Sequence, residues 1–291
     1  MKQKRILSVQ DISCFGKCSN TVALPVLSAA GIETVMLPTA LLSTHTGGFT
    51  GNSFLDLTDE MRKILAHWQS ADIRFDMLYT GYFGSVEQLR IVADAKSAIL
   101  RAGGTTLVDP VLGDGGKLYS IYDDAFVCAM REFVSGADLI TPNVTEACLL
   151  ADLPYTGDRY DHEKMEAILS RLAELGCRSA VITGVHFGEN EIGIVYRNFE
   201  SGEKFTLASA RTDAPLHGTG DVFTSALAGY LLAGFDARAA LTRTVSFIAE
   251  CIDKTEGALP EHWYGVKFED SLYKITEDIR KKQWEDALLG H

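Results

Sequence analysis

The sequence lacks the long apolar runs that membrane proteins and secreted precursors need. No stretch reaches the ~20 apolar residues of a membrane-spanning helix. The basic start, MKQKRILSVQDISC, contains no apolar segment of signal-peptide length. Hydrophobic residues still make up 46% of the 291 residues, which is enough for a substantial buried core. We therefore expect a soluble, cytoplasmic globular protein.

Cysteine is scarce, and its spacing is irregular. The six cysteines include one close pair, Cys14 and Cys18, but no second pair or histidine cluster completes a zinc site. Cysteines in this pattern are typical of a reduced cytosolic protein, in which disulfides rarely form. A disulfide-stapled scaffold and a structural zinc protein are therefore not expected.

Positive charge is also in short supply. The 27 Lys and Arg residues face 39 Asp and Glu residues, for a net charge of −12. Because the acidic residues are spread along the chain, the surface should repel phosphate backbones, and nucleic acid is not an expected partner. A small anionic ligand is still compatible with one locally positive pocket. The sequence also lacks Pro- or Ser-rich linkers, repeats and low-complexity tracts, so we predict a single domain over residues 1–291.

Short apolar runs alternate with amphipathic stretches along most of the chain. Strands are predicted at residues 5–10, 33–38, 76–82, 105–110, 138–143 and 179–184. Helices are predicted at 20–30, 57–70, 86–100, 123–134, 220–233, 237–254 and about 270–287. This alternation predicts an α/β fold with a mostly parallel sheet covered on both faces. Residues 191–196 and 204–210 flank a Ser-Gly turn and predict an antiparallel hairpin at the sheet edge.

The strongest local signal is the segment His217-Gly-Thr-Gly-Asp221, which leads directly into the apolar helix VFTSALAGYLL. Its glycines allow the backbone to turn tightly and to approach a ligand closely. The start of the helix offers unpaired N–H groups and the positive end of its dipole, which suit a phosphate. Taken alone, Asp221 could equally be a carboxylate that stabilises the helix start.

Further polar residues follow neighbouring strands, where an open α/β sheet binds its ligands. The segment DPVLGDGGK places Asp109, Asp114 and Lys117 around a Gly-rich turn, and TPNVTE places Asn143 and Glu146 after the next strand. Carboxylates and an amide in this arrangement suit Mg²⁺ bound with nucleotide phosphates. No GxxxxGK[ST] motif occurs, so a P-loop enzyme is excluded as the main interpretation.

These motifs together carry a family resemblance. GTGD before a helix, DPVLGDGGKLY and TPNVTEA resemble the vitamin-kinase branch of the ribokinase-like superfamily. SVQDISCFGKCSNTVALPVLSAAGI, LSTHTGGFTG and YTGYFGSVEQ are similar to pyridoxal (pyridoxine, pyridoxamine) kinases, over roughly residues 4–257. The resemblance implies a three-layer α/β/α fold, a homodimer, and ATP-dependent phosphorylation of the 5′-hydroxymethyl group of a vitamin B6 vitamer.

The resemblance also implies a role for each matching position. Asp221 would act as the general base, and the amides of Gly218, Thr219 and Gly220 would hold the developing anion. Mg²⁺ would be positioned through water, and a monovalent cation is expected without a defined place. The implied ligands of the other groups are Asp11, His45, Thr46 and Tyr82 for the substrate, Asp109, Asn143, Thr183 and Lys117 for ATP, and Asp114 and Glu146 for Mg²⁺.

Asp11 departs from the family pattern, since pyridoxal kinases carry a serine there. It could bind the vitamer, or it could cap the turn after the first strand. Two rival functions also stay open: a hydroxymethylpyrimidine kinase of the same superfamily, and a catalytically silent vitamin-binding protein. The segment QDISCFGKCSN lacks the Gly-Gly-rich sequence expected of the first rival, and the intact Asp221 loop argues against the second.

Overall fold

The computed structural model describes residues 3–211 and 216–289. Its strands, in chain order, are β1 Arg5–Phe15, β2 Glu33–Thr44, β3 Phe54–Asp56, β4 Phe75–Thr80, β5 Leu100–Val108, β6 Gly113–Asp114, β7 Lys117–Leu118, β8 Leu139–Ile140, β9 Ser179–His186, β10 Glu191–Asn198 and β11 Lys204–Ala210. The helices are α1 Asn20–Ala29, α2 Thr58–Ser70, α3 Val86–Ile99, α4 Asp124–Val134, α5 Val144–Ala151, α6 His162–Glu174, α7 Thr219–Leu232, α8 Ala237–Glu256 and α9 Leu272–Leu289.

Nine strands form one sheet in the order β11-β10-β9-β8-β5-β4-β1-β2-β3. The six central strands, from β9 to β2, pair in parallel. At one edge β10 and β11 form the predicted antiparallel hairpin. At the other edge β3, which the sequence did not predict, pairs antiparallel with β2.

Helices cover both faces of the sheet, and each face has its own apolar core. One core combines the sheet with α2 to α6, and the other combines it with α1, α7, α8 and α9. The predicted ribokinase-like three-layer α/β/α architecture is therefore confirmed. Within the described residues, no helix is both long and apolar enough to cross a membrane.

Strands β1 and β2 both run well past their predicted ends. Strand β1 continues to Phe15 instead of ending at residue 10, so Asp11 lies within the strand and not in a turn after it. Its pairing register with β2 shifts between Gln10 and Ile12, because β2 has one extra residue there, so that Thr39 and Ala40 of the bulged β2 lie opposite Asp11. Strand β2 likewise continues to Thr44, because the extended β1 pairs with it as far as Phe15 opposite Thr44, and β3 pairs with its other edge at residues 40–42.

Candidate active site

The amino end of α7 forms a tight turn that only glycine allows. Gly218 has φ 78°, in the left-handed region, and a Cβ atom there would lie 1.7 Å from the carbonyl oxygen of Lys17. This glycine turn therefore packs directly on the segment that follows β1. The first amides of a helix have no partner within it, so those of residues 218–220 offer hydrogen-bond donors to an anion.

Asp221 lies in the first turn of α7 and is half-buried. Burial, and next the charge of Asp109, raise the pKa of its carboxyl from 3.8 to about 8. Interactions with the Ser19 backbone amide and the Cys18 thiol act in the opposite direction and lower the pKa. A carboxylate with a raised pKa is a stronger base than an ordinary one, so Asp221 is suited to accept a proton near neutral pH.

Asp109 lies directly after β5 and is almost completely buried. The Thr224 hydroxyl of α7 donates to its Oδ2 at 3.0 Å and lies 3.1 Å from the Thr141 hydroxyl. Burial, and next the charge of Glu146, raise the pKa of Asp109 well above its usual value. Asp109 thus links the catalytic turn of α7 to the start of α5.

Glu146 and Asn143 form a capping box at the start of α5. Asn143 Oδ1 accepts from the Glu146 amide at 2.8 Å, and Glu146 Oε2 accepts from the Asn143 amide at 2.9 Å. Glu146 Oε1 also accepts from the Leu112 amide at 3.0 Å. Burial raises the pKa of Glu146 to about 7, although the amides of Asn143, Leu112 and Gly113 lower it. This predicted metal residue is therefore also a structural anchor for the loop after β5.

Three of the four predicted nucleotide residues, Asn143, Thr183 and Lys117, lie in or close to the small β6–β7 hairpin. Asn143 Nδ2 donates to the carbonyl of Gly113 at 2.9 Å, and Asn143 forms a parallel bridge with Thr183 of β9. The side chains of Asp114 and Lys117 are exposed at the tip of the hairpin. Asp109 and Asn143 thus come after β5 and β8, as the sequence predicts, whereas Thr183 lies within β9 and Lys117 within β7.

His45, a predicted substrate residue, is buried between three segments. Its Nε2 lies 2.7 Å from the carbonyl oxygen of Tyr264, and its Nδ1 accepts from the Gly47 amide at 3.1 Å. The proton must therefore be on Nε2. A Cβ atom on Gly16 would overlap the His45 ring, so glycine at position 16 leaves the space that this ring occupies.

Two further predicted substrate residues, Tyr82 and Thr46, differ in exposure. Tyr82 is half-buried, and burial followed by the charge of Asp11 raises the pKa of its hydroxyl to about 12. It therefore stays a neutral donor at physiological pH. Thr46 is exposed on the loop after β2.

Aromatic side chains near His45 escaped the sequence prediction. Phe49 contacts the rings of His45 and Trp263, at centroid distances of 5.0 Å and 4.6 Å, and Phe15 contacts Tyr264 at 4.9 Å. They come from β1, from the loop after β2 and from the segment between α8 and α9. Their sequence separation left no local pattern that could have revealed the cluster.

Asp11 is buried among hydroxyl groups. The Ser13 hydroxyl donates to its Oδ2 at 2.8 Å, and the Ser19 hydroxyl donates to its Oδ1. Burial raises the pKa of Asp11, and these two hydroxyls lower it. Asp11 thus lies within the candidate site, but both of its carboxylate oxygens already accept hydrogen bonds from side chains of the protein.

The donor set fits a divalent cation that is held mainly by water and phosphate. The described residues contain no group of three or more His, Cys, Asp or Glu side chains placed to enclose a metal. Asp109 and Glu146 are nevertheless buried close enough for the charge of Glu146 to raise the pKa of Asp109, and a cation would relieve this repulsion. Mg²⁺ commonly binds through one or two carboxylates and keeps several waters, as this arrangement requires.

Solved structures similar to this chain include two kinases that match it over nearly its whole length. A putative phosphomethylpyrimidine kinase from Bacteroides thetaiotaomicron, in a crystal form with pyridoxal, is 38% identical and covers 94% of this chain and 96% of its own, with a TM-score of 0.88. The pyridoxal kinase from Lactobacillus plantarum is 34% identical, with the same coverage and a TM-score of 0.86.

Curated sequences and family models agree with the structural match. A putative pyridoxal kinase from Schizosaccharomyces pombe is 29% identical over 98% of this chain and 82% of its own length. These similarities confirm the resemblance to vitamin kinases of the ribokinase-like superfamily. The model of the phosphomethylpyrimidine kinase family matches residues 24–264, and the chain therefore belongs to that family.

Proposed function

We propose that this protein is an ATP-dependent kinase that phosphorylates the 5′-hydroxymethyl group of a vitamin B6 vitamer: pyridoxal, pyridoxine or pyridoxamine. The observation that carries the proposal is the Asp221 carboxylate, whose raised pKa suits a general base, at a helix start that can bind an anion. Family membership and the similarity to a structure with pyridoxal support the choice of substrate.

The transfer needs alignment and charge stabilisation more than covalent help. Asp221 accepts the proton of the substrate hydroxyl as the oxygen attacks the γ-phosphorus of ATP. The bond from that phosphorus to the bridging oxygen breaks, and ADP leaves. The amides of Gly218, Thr219 and Gly220 stabilise the negative charge that develops on the transferred group.

The predicted substrate residues fit an aromatic, partly polar ligand. Tyr82 keeps its hydroxyl proton at physiological pH and can donate to a ring substituent. His45 is fixed by Tyr264 and Gly47, so it presents its ring to the site in one orientation. Thr46, on the same loop, is exposed and would offer its hydroxyl to the substrate.

ATP would lie along the β6–β7 hairpin, with Asn143, Thr183 and Lys117 near its phosphates and Asp109 between nucleotide and base. Mg²⁺ would be held through water by Asp114 and Glu146, where it neutralises phosphate charge when bound. A monovalent cation near the nucleotide stays part of the proposal without an assigned site.

We also infer a cytoplasmic homodimer in which the whole chain forms one domain. All six cysteines are unpaired, including the exposed Cys14 and Cys128, which suits a reducing compartment. The edge strand β3 exposes Phe54 and Leu55 beside Leu41 of β2, an apolar edge that a second copy of the chain could cover. Light scattering of the purified protein, with Phe54→Ser as the disrupting variant, tests the homodimer.

The proposed function is tested by steady-state kinetics with pyridoxal, pyridoxine, pyridoxamine and hydroxymethylpyrimidine in parallel, each with Mg-ATP. We expect the highest kcat/KM with a B6 vitamer and a product phosphorylated at the 5′ oxygen. A preference for hydroxymethylpyrimidine would favour the second candidate function, which the description of the family supports. No ATP consumption with any of the four would leave only a silent binding protein.

A further inference from the structure

The segment between β1 and α1 has a strained residue beside the proposed catalytic base. Ser19 has φ 55° and ψ −133°, a conformation in which residues other than glycine are rare. It is buried, the carbonyl of the nearby Lys17 lies directly against Gly218 at the start of α7, and the Ser19 backbone amide is near enough to Asp221 to lower the pKa of its carboxyl. Strain of this kind persists only where the surroundings hold the residue in place.

The side chain of Ser19 shows what holds it. Ser19 is the N-cap residue of α1, a position where a serine hydroxyl usually accepts from the first turn of its helix. Here the side chain makes no capping hydrogen bond, and its hydroxyl instead donates to Asp11 Oδ1. One serine thus lies between two carboxylates, with its hydroxyl bonded to Asp11 and its amide close to Asp221.

The residues on both sides of Ser19 are also fixed. Asn20 donates to the carbonyl of Gln10 at 2.8 Å and accepts from the Ser8 hydroxyl at 2.8 Å, which ties α1 to β1. Lys17 pairs with Glu269, and its carbonyl leaves no room for a side chain at Gly218. Within this segment, the Ser19 side chain itself is held by the hydrogen bond that its hydroxyl donates to Asp11.

We propose that Asp11 is a positioning residue for the catalytic base, which holds Ser19 in its left-handed conformation so that the Ser19 amide orients the Asp221 carboxylate. This assignment rests on the proposed function and replaces the substrate contact that the resemblance implies for Asp11. It also gives a reason for aspartate at position 11, where the resemblance leads us to expect serine. A carboxylate accepts hydrogen bonds from the hydroxyls of Ser13 and Ser19 at the same time.

The test compares kcat and KM for all three B6 vitamers in four variants. Asp11→Ala and Ser19→Ala remove the two halves of the contact, and both are expected to lower kcat at least about tenfold with KM changed less than about twofold. Ser19→Gly removes the hydroxyl but adopts positive φ without strain, so it is expected to keep kcat within about threefold of wild type. Ser13→Ala is the matched control, because it removes the other hydroxyl that donates to Asp11 and leaves Ser19 unchanged.

Three results would overturn the assignment. One is a rise in KM for Asp11→Ala with kcat unchanged, which would make Asp11 a substrate ligand. The second is an equal kcat for Ser19→Ala and Ser19→Gly. The third is a loss of kcat in Ser13→Ala as large as the loss in Ser19→Ala. A failure of the proposed function can be told apart from a failure of this assignment, because the wild type would then turn over no B6 vitamer. In that case the same four variants would be measured with hydroxymethylpyrimidine. Thermal unfolding of each variant checks that it folds.

Discussion

Carboxylates serve opposite purposes at the catalytic end of the sheet and at the junction of α8 with α9. In the site, burial and neighbouring acids raise the pKa of Asp221 to about 8 and of Glu146 to about 7. At the junction, Lys254, and after it other donors, lower the pKa of Glu250 to about 2. The first environment destabilises the charged form that the chemistry needs, and the second uses the charged form to hold helices together.

The comparison separates activity from stability. Charge at the site opposes folding, because the folded protein must keep acidic groups together out of water. Charge at the junction favours folding, because Glu250 accepts from Lys254 at 2.8 Å, from Ser271 at 3.0 Å and from Lys274 at 3.1 Å. Variants in the two regions should therefore change different observables.

The largest effect is expected from Asp221→Asn. Loss of the general base should lower kcat by about 10²–10⁴ and leave the affinity for ATP and vitamer almost unchanged. Because the folded pKa of Asp221 lies above its ordinary value, folding stability falls as pH rises from about 4 to about 8. The asparagine variant avoids that cost, so its Tm at pH 8 should be higher than that of wild type.

The control for Asp221→Asn is Asp94→Asn, on the exposed side of α3. It should change neither kcat nor Tm measurably. If Asp221→Asn turned over substrate almost as fast as wild type, Asp221 would not be the general base, and its role would be to stabilise the start of α7.

A smaller and opposite effect is expected from Glu250→Gln. The amide accepts weaker hydrogen bonds from the lysines, so the free energy of unfolding should fall by about 1–2 kcal/mol, and kcat should not change. The folded pKa of Glu250 is depressed, so its stabilisation is present above about pH 4.5 and is lost as pH falls toward 2. Urea unfolding of wild type and variant at pH 7 and at pH 3 measures the loss of stability and its pH dependence. An equal difference in the free energy of unfolding at the two pH values would refute the charge argument.

The smallest effect is expected from Lys117→Ala. The exposed lysine at the β6–β7 hairpin should contribute to ATP binding as a screened charge, so KM for ATP should rise about three- to tenfold. Lys63→Ala on α2 removes an exposed lysine away from the hairpin and serves as the control. An unchanged KM for ATP in Lys117→Ala would remove this residue from the nucleotide site.

The sequence predicted those parts of the fold that have a clear apolar period. The strands of the central sheet, the edge hairpin and seven helices follow from local alternation. Helix α5 was missed because seven of its eight residues are buried, which erases the amphipathic period. Helix α6 was missed although Met165, Ile168, Leu169 and Leu172 carry a regular helical spacing.

The site was predictable where its residues belong to motifs, and not where it depends on contacts between distant segments. Asp109, Asn143, Glu146 and Asp221 follow from the ends of strands and the start of α7. Asn143-x-x-Glu146 could also have been recognised as a capping box. The contact of Ser19 with Asp11 depends on how the chain after β1 folds back, and no local spacing encodes it.

The pH dependence of kcat/KM tests the central claim most directly, since that ratio reports the ionisation of the free enzyme. We predict that kcat/KM for wild type falls about tenfold per pH unit below an apparent pKa of about 8. The limb should keep the same pKa for pyridoxal, pyridoxine and pyridoxamine, because it belongs to Asp221 and not to the substrate. A profile that stays flat down to pH 5, or a limb that moves with the vitamer, would contradict the assignment of Asp221 as a buried base.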